Sequence, residues 1–128
     1  MIEIVTDPFP GDEALRGLWL AAWSDEGPQS FRPILERSLA HAGAYDGTAL
    51  VGFVNVAWDG GVHAFILDTC VDLAYRRRGI ALRLVERAAE LARQRGAHWL
   101  HVDYEPHLEG FYRQCGFGPT AAGLMRLV

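Results

Sequence analysis

The 128-residue chain contains no lysine, so every one of its twelve basic residues is an arginine. Without lysine, a protein cannot form a Schiff base with a carbonyl substrate, and it cannot supply the lysine of a Walker-type phosphate loop. The sequence therefore excludes both of these classes of enzyme.

Cysteine is also scarce, since only Cys70 and Cys115 are present, and their spacing matches neither a redox pair nor a metal-binding pair. No apolar run reaches the roughly 18 residues of a membrane span, and no signal-peptide pattern is found. The five histidines fit no zinc spacing. We therefore expect a cytoplasmic protein in a reducing environment, with no metal site and no membrane partner.

The balance of charge is acidic, with a net charge of −4 and a pI near 5.7. Such a balance disfavours a general nucleic-acid binder, and no G-x-G-x-x-G pattern or P-loop supports a nucleotide-binding alternative. Half of the residues are hydrophobic. The length and composition together predict one domain over residues 1–128.

An arginine triplet, Arg76, Arg77 and Arg78, stands out against this acidic background. It lies between an apolar run typical of a strand, at residues 64–71, and the longest amphipathic pattern in the chain. The first turn of a helix presents backbone N–H groups without intrahelical partners, and Gly79 would let a ligand approach that backbone closely. The pattern predicts a phosphate-binding loop.

The helix behind this loop is defined by apolar residues that recur on one face. These residues are Ala81, Leu84, Val85, Ala88, Leu91 and Ala92. Gly96 then predicts the end of the helix.

The remaining patterns predict a meander of strands followed by alternating strands and helices. Strands are expected at 2–5, 49–58, 62–71, 98–103 and 124–128, and helices at 12–23, 31–39 and 109–115. This order implies an α+β fold, with a mixed, mostly antiparallel sheet and helices on both of its faces.

Two motifs resemble those of the GNAT superfamily of acyl-CoA-dependent N-acetyltransferases. VDLAYRRRGIA, at residues 71–81, is similar to the superfamily's Arg/Gln-x-x-Gly-x-Gly/Ala loop with its preceding strand. FYRQCGF, at residues 111–117, resembles the signature Phe-Tyr-x-x-x-Gly-Phe. The resemblance implies a GNAT-like fold with a splayed pair of parallel strands and acetyl-CoA as co-substrate.

The same resemblance implies a set of cofactor-binding residues in which the backbone matters more than the side chains. In this reading, the pantetheine arm pairs with residues 69–71, and the diphosphate binds the backbone of residues 77–82. A strand N–H near Thr69 would polarise the acetyl carbonyl. The residues concerned are Thr69, Cys70, Val71, Arg76, Arg77, Arg78, Gly79, Ile80, Ala81, Leu82 and Arg83.

Tyr112 matches the tyrosine that, in many members of the superfamily, protonates the departing CoA thiolate. The amine acceptor also needs a route for losing a proton, and His101 is the first candidate base because its intrinsic pKa is near neutral. Asp103 on the same predicted strand face is the second candidate, and Asp68 is the third.

The acceptor could be a small-molecule amine or a peptide amine. Trp19, Trp23, Asp25 and Glu26 could form an aromatic and acidic entrance for a cationic amine, or they could be an ordinary helix end in water. A homodimer is compatible with the sequence. The alternative to an enzyme is a non-catalytic CoA-binding module with the same fold.

Overall fold

In the computed structural model, which describes residues 1–128, the apolar strand patterns form one five-stranded sheet. The strands are β1 (Ile2–Thr6), β2 (Ala40–Asp46), β3 (Ala49–Trp58), β4 (His63–Val71) and β5 (Trp99–His101). The helices are α1 (Asp12–Trp23), α2 (Arg32–Arg37), α3 (Ile80–Gln94) and α4 (Glu109–Gln114). The strands lie in chain order; β1 to β4 are antiparallel, and β5 runs parallel to β4. The predicted mixed sheet of the α+β class is confirmed.

Helices cover both faces of this sheet, as the sequence predicts. One apolar cluster joins β2, β3 and β4 to the apolar face of α3, and a second joins α1 and α2 to Phe53 and Cys70. Successive residues of a strand point to opposite faces, which is why Phe53 and its neighbour Val54 belong to different clusters. None of the four helices is both long enough and apolar enough to cross a bilayer.

β4 carries a bulge just beyond the point where its pairing with β5 ends, and a cleft lies beside it. Asn55 of β3 pairs with Leu67, but Phe53 pairs with Cys70, so the two residues 68 and 69 face a single residue of β3. Asp68 adopts the left-handed conformation at φ 57°. β5 pairs only with residues 63–65 of β4. Beyond that point the outer edge of β4 is left without a neighbouring strand.

The structure differs from the predicted elements in three places. The predicted helix 31–39 ends at Arg37, and β2, which was not predicted, follows it. The predicted strand 98–103 is paired only over Trp99–His101. The predicted strand 124–128 is wrong: these residues have no regular structure, and Leu124 is 93% exposed. A strand is stable only when it pairs with a neighbouring strand, and this segment pairs with none.

Candidate active site

The loop that carries the arginine triplet is shaped by two residues in the left-handed conformation. Arg77 has φ 65°, and Gly79, the residue before the first turn of α3, has φ 74°. An added Cβ at Gly79 would meet no atom within 4 Å, so the backbone there borders open space. The first helical bond runs from the Arg83 N–H to the Gly79 carbonyl at 3.1 Å. The N–H groups of residues 79–82 therefore have no intrahelical acceptor, and such a turn binds anions.

The arginine side chains of this region do not act together. Arg76 and Arg77 border the cleft beside the loop. In contrast, the guanidinium of Arg78 lies over the ring of Tyr75, 4.9 Å from its centroid. Arg83 donates from Nη2 to the carbonyl of Ile2 at 3.1 Å. Arg77 thus borders the cleft without a hydrogen bond or an ion pair to the protein, whereas Arg76 borders it with Nη2 3.5 Å from the carbonyl of Ala22. Arg78 and Arg83 are occupied elsewhere.

The cleft consists of two lobes that meet at its centre. The arginine lobe, a cavity of about 740 Å³, lies between residues 69–71 of β4, the arginine loop with the start of α3, and α4. The acidic lobe, of about 770 Å³, lies between the β4 bulge, residues 102–106 and the C-terminal segment 118–124. Trp23, Thr69, Glu105, Leu108 and Tyr112 border both lobes. A molecule that spans the two lobes would pass these shared residues.

Tyr112 is the best-buried side chain at this junction, with 7% of its surface exposed. Its ring stacks on Tyr104 with centroids 4.9 Å apart and meets Phe111 and Phe117 edge to face. Burial raises the pKa of Tyr112, although the neighbouring hydroxyl of Thr69 acts in the opposite direction. Tyr112 therefore carries its proton at neutral pH and can donate it.

Thr69 contributes an unsatisfied polar atom to the junction. Its Oγ1 is buried and lies near the hydroxyl of Tyr112, but no hydrogen bond of good geometry joins the two or reaches Oγ1 from elsewhere in the protein. Buried polar atoms without partners are rare in proteins, because each costs about 1–3 kcal/mol. The position of this atom between the lobes suits a ligand that would satisfy it.

Two aspartates bring negative charge to the acidic lobe. Asp68, at the bulge, is half-buried, and this burial raises the pKa of its carboxyl group. Asp103 is exposed, and its charge contributes to the raised pKa of Tyr112. Both aspartates border the acidic lobe, where either can accept a proton.

The structure places His101 outside both lobes. Its Nε2 lies 2.9 Å from Nδ1 of His63, and its ring stacks on Phe65 with centroids 4.6 Å apart. The first candidate base is thus exposed and outside the cleft, whereas Asp68 and Asp103 border it. No group of three or more His, Cys, Asp and Glu side chains is arranged so that it could hold a metal ion.

The cysteines are not suited to act as nucleophiles. Burial, reinforced by the charge of Asp68, raises the pKa of Cys70 to about 12. Burial also raises the pKa of Cys115, with Glu86 as a second cause. Since the thiolate is the reactive species, both thiols are inert near pH 7. Cys70 borders the arginine lobe, but its side chain belongs to the second apolar cluster.

The aromatic and acidic entrance has a different composition from the predicted one. Trp23 borders both lobes, but Asp25 and Glu26 border neither, and Trp19 is buried in the core. Glu105 and Glu109 line the acidic lobe instead. Neither glutamate was predicted to line this entrance, because Glu105 lies in irregular chain and Glu109 begins the short helix α4, so no periodic pattern shows which way either side chain points.

Comparison with known proteins gives an independent result. The family model described as "Acetyltransferase (GNAT) family" matches residues 1–117. A probable glucosamine 6-phosphate N-acetyltransferase from Oryza sativa subsp. japonica is 40% identical over 58 residues, which are 45% of this chain and 35% of that protein. The matched region thus spans about a third of that relative's length.

Solved structures resemble the chain over nearly its full length. A GNAT family acetyltransferase from Streptococcus pneumoniae gives a TM-score of 0.79 at 27% identity, and the match covers 100% of this chain and 98% of that one. The aminoglycoside N-acetyltransferase AAC(6')-Iy, solved in complex with CoA, gives a TM-score of 0.78 at 19% identity over 98% of this chain and 93% of that one. The second likeness concerns the fold alone.

Proposed function

Because the chain belongs to the GNAT family of acetyltransferases, we propose that it transfers an acetyl group from acetyl-CoA to a primary amine of a small molecule or peptide. The observation that carries this proposal is the junction of the two lobes, where Tyr112 and Thr69 border both cavities. A thioester held in one lobe and an amine held in the other would meet beside a proton donor.

The arginine lobe fits the donor substrate in three respects. The free N–H groups of residues 79–82 and the guanidinium groups of Arg76 and Arg77 suit a diphosphate. The open edge of β4 at residues 69–71 suits the amide groups of a pantetheine arm, which would extend the sheet as an added strand does. The unsatisfied Thr69 Oγ1 lies where that arm would reach the junction.

The proposed reaction is a direct attack with both substrates bound. The amine nitrogen forms a bond to the thioester carbon, and the bond from that carbon to sulfur breaks. A backbone N–H near Thr69 would stabilise the negative charge that develops on the carbonyl oxygen. Tyr112 gives its proton to the leaving thiolate. A proton that the amine has lost then reprotonates Tyr112. The inert Cys70 supports a route without an acetyl-cysteine.

We assign the base to the aspartates of the acidic lobe, with Asp68 preferred. Burial of Asp68 raises its pKa, and a carboxylate is a better base when its pKa is closer to the working pH. Asp103 lies on the Tyr112 side of the same lobe and is the second choice. His101 was the first candidate from the sequence, but it lies beside His63 and borders neither lobe.

Release of free thiol tests this proposal. The purified chain is mixed with acetyl-CoA and a panel of amines that includes glucosamine 6-phosphate, the substrate for which the rice relative is named. We expect amine-dependent thiol release and a product that is heavier by one acetyl group. If CoA binds but no amine in a broad panel increases thiol release, the chain is a CoA-binding module and the proposal is wrong.

A further inference from the structure

The charges of the acidic lobe indicate which amines it would accept. We propose that the acceptor is an amine that carries at least one further positive charge, as diamines and polyamines do, and that phosphorylated amines are poor acceptors. This inference depends on the proposed function, since it names the substrate class of the same site.

The acidic lobe holds four carboxylates and no basic side chain. Its lining includes Asp68, Asp103, Glu105 and Glu109, whereas no arginine or histidine borders it. Asp68, Asp103 and Glu105 form no salt bridge. Glu109 meets Arg113 only at 3.9 Å, near the limit for an ion pair. The carboxylates are therefore free to bind a ligand cation, and their combined field would repel a phosphate.

The basic groups of the cleft are confined to the other lobe. Arg76 and Arg77 border the arginine lobe, where the proposed diphosphate would need them. The arginines of the cleft thus border one lobe and most of its carboxylates the other, while Glu105 borders both. This distribution of charge favours an anionic donor in one lobe and a cationic acceptor in the other.

Aromatic side chains complete the cation site. Trp23 and Tyr104 line the acidic lobe, and a cation lying over an open aromatic face is stabilised. Trp23 is 43% exposed and is braced by Trp19, whose ring meets it edge to face at 5.0 Å. A side chain that is held in place but open to solvent can receive an ammonium group without rearrangement.

The test compares acceptors that differ in one charged group. Cadaverine is compared with the amino alcohol in which one of its ammonium groups is replaced by a hydroxyl, and glucosamine is compared with glucosamine 6-phosphate. We expect kcat/KM to be at least about tenfold higher for cadaverine than for the amino alcohol, which corresponds to about 1.4 kcal/mol. Glucosamine should likewise exceed its phosphate. Raising the salt from about 50 to about 500 mM should reduce both ratios, because the carboxylates are mostly exposed.

Glutamine variants connect the preference to the lobe. Glu109→Gln, and more strongly Glu109→Gln combined with Glu105→Gln, should lower the ratio of cadaverine to amino alcohol. Effects on acetyl-CoA cancel in this ratio because the donor is the same. Glu36→Gln, on the exposed surface of α2, is the matched control and should leave the ratio unchanged.

Three outcomes would overturn the inference. Equal kcat/KM for the two members of the cadaverine pair, or a faster reaction with glucosamine 6-phosphate than with glucosamine, would contradict it while leaving the acetyltransferase proposal intact. Glutamine variants that change the ratio no more than Glu36→Gln does would remove the lobe as its source. If no amine of any charge reacts, the proposed function fails first and this inference fails with it.

Discussion

Replacing Tyr112 by phenylalanine tests the proposed proton donor with the smallest available change. The substitution removes one hydroxyl group and keeps the ring that stacks on Tyr104 and meets Phe111 and Phe117. The packing of α4 should therefore survive. Loss of one hydroxyl costs at most about 1 kcal/mol of stability, so we expect a fall in Tm of only a few degrees.

The expected loss of activity follows from the pKa values of donor and acceptor. A thiol such as that of CoA has a pKa of about 8.5, and burial raises the pKa of Tyr112 above the phenol's usual value of about 10. The tyrosine is thus the weaker acid of the two. General acid catalysis contributes about 100- to 10,000-fold in enzymes, and this mismatch places Tyr112 near the lower limit. We predict that Tyr112→Phe lowers kcat about hundredfold.

Steady-state thiol release, together with calorimetric binding of CoA, measures this prediction. The hydroxyl acts only when the thiolate leaves, so the Kd for CoA should not change. Tyr45→Phe is the matched control, because Tyr45 is also a tyrosine whose pKa burial raises, but it lies on β2 and borders neither lobe. A Tyr112→Phe enzyme with kcat within about twofold of the original would refute the reasoning. An equal loss in Tyr45→Phe would show that the effect is structural.

Three further predictions concern the base, the loop and the core. Asp68→Asn should abolish the acid limb of the profile of kcat/KM against pH. In the original enzyme this limb should lie above the usual carboxyl range, because burial raises the pKa of Asp68. A limb that is unchanged in the variant would move the role of base to Asp103. Gly79 and Gly60 both have a positive φ and border open space, so replacing either by valine should destabilise the fold by about 1–2 kcal/mol. Only Gly79→Val should weaken CoA binding. Equal affinities of the two variants for CoA would contradict the loop assignment. Burial lowers the pKa of His41, so the folded state favours its neutral form. The free energy of unfolding should therefore fall as the pH drops below about 6.5. If a His41→Gln variant loses stability with pH as steeply between about pH 7 and 5, the prediction is wrong.

The parts of the fold that the sequence predicts best are those whose signals are local. α3 is predicted because its apolar face repeats with the helical period, and the loop before it because Gly79 sits at the turn that starts the helix. β2 was missed because its first residues, Ala40, His41, Ala42 and Gly43, lack the β-branched and aromatic side chains typical of strands. Its neighbours β1 and β3, on either side, hold it in the sheet.

The candidate site likewise combines a part that local sequence patterns predict with a part that they do not. The backbone amides at residues 79–82 follow from local chain order, so the resemblance to a known motif is enough to find them. The acidic lobe is assembled from the bulge at Asp68, the irregular chain around Glu105 and the C-terminal segment, which are distant in sequence. The bulge decides that Asp68 lines the cleft, and a register shift between β3 and β4 leaves no mark in the sequence of either strand. His101 shows the converse, since a suitable pKa does not predict the direction of a side chain.

We propose that the backbone amides at the start of α3 hold the diphosphate of acetyl-CoA. Calorimetric titration with CoA and with pantetheine, which lacks the diphosphate and the nucleotide, measures this most directly. Each hydrogen bond to a charged group contributes about 1.5–3 kcal/mol, so two such bonds predict that CoA binds at least about a hundredfold more tightly than pantetheine. Equal affinity for the two compounds, or no binding of CoA at all, would contradict the account.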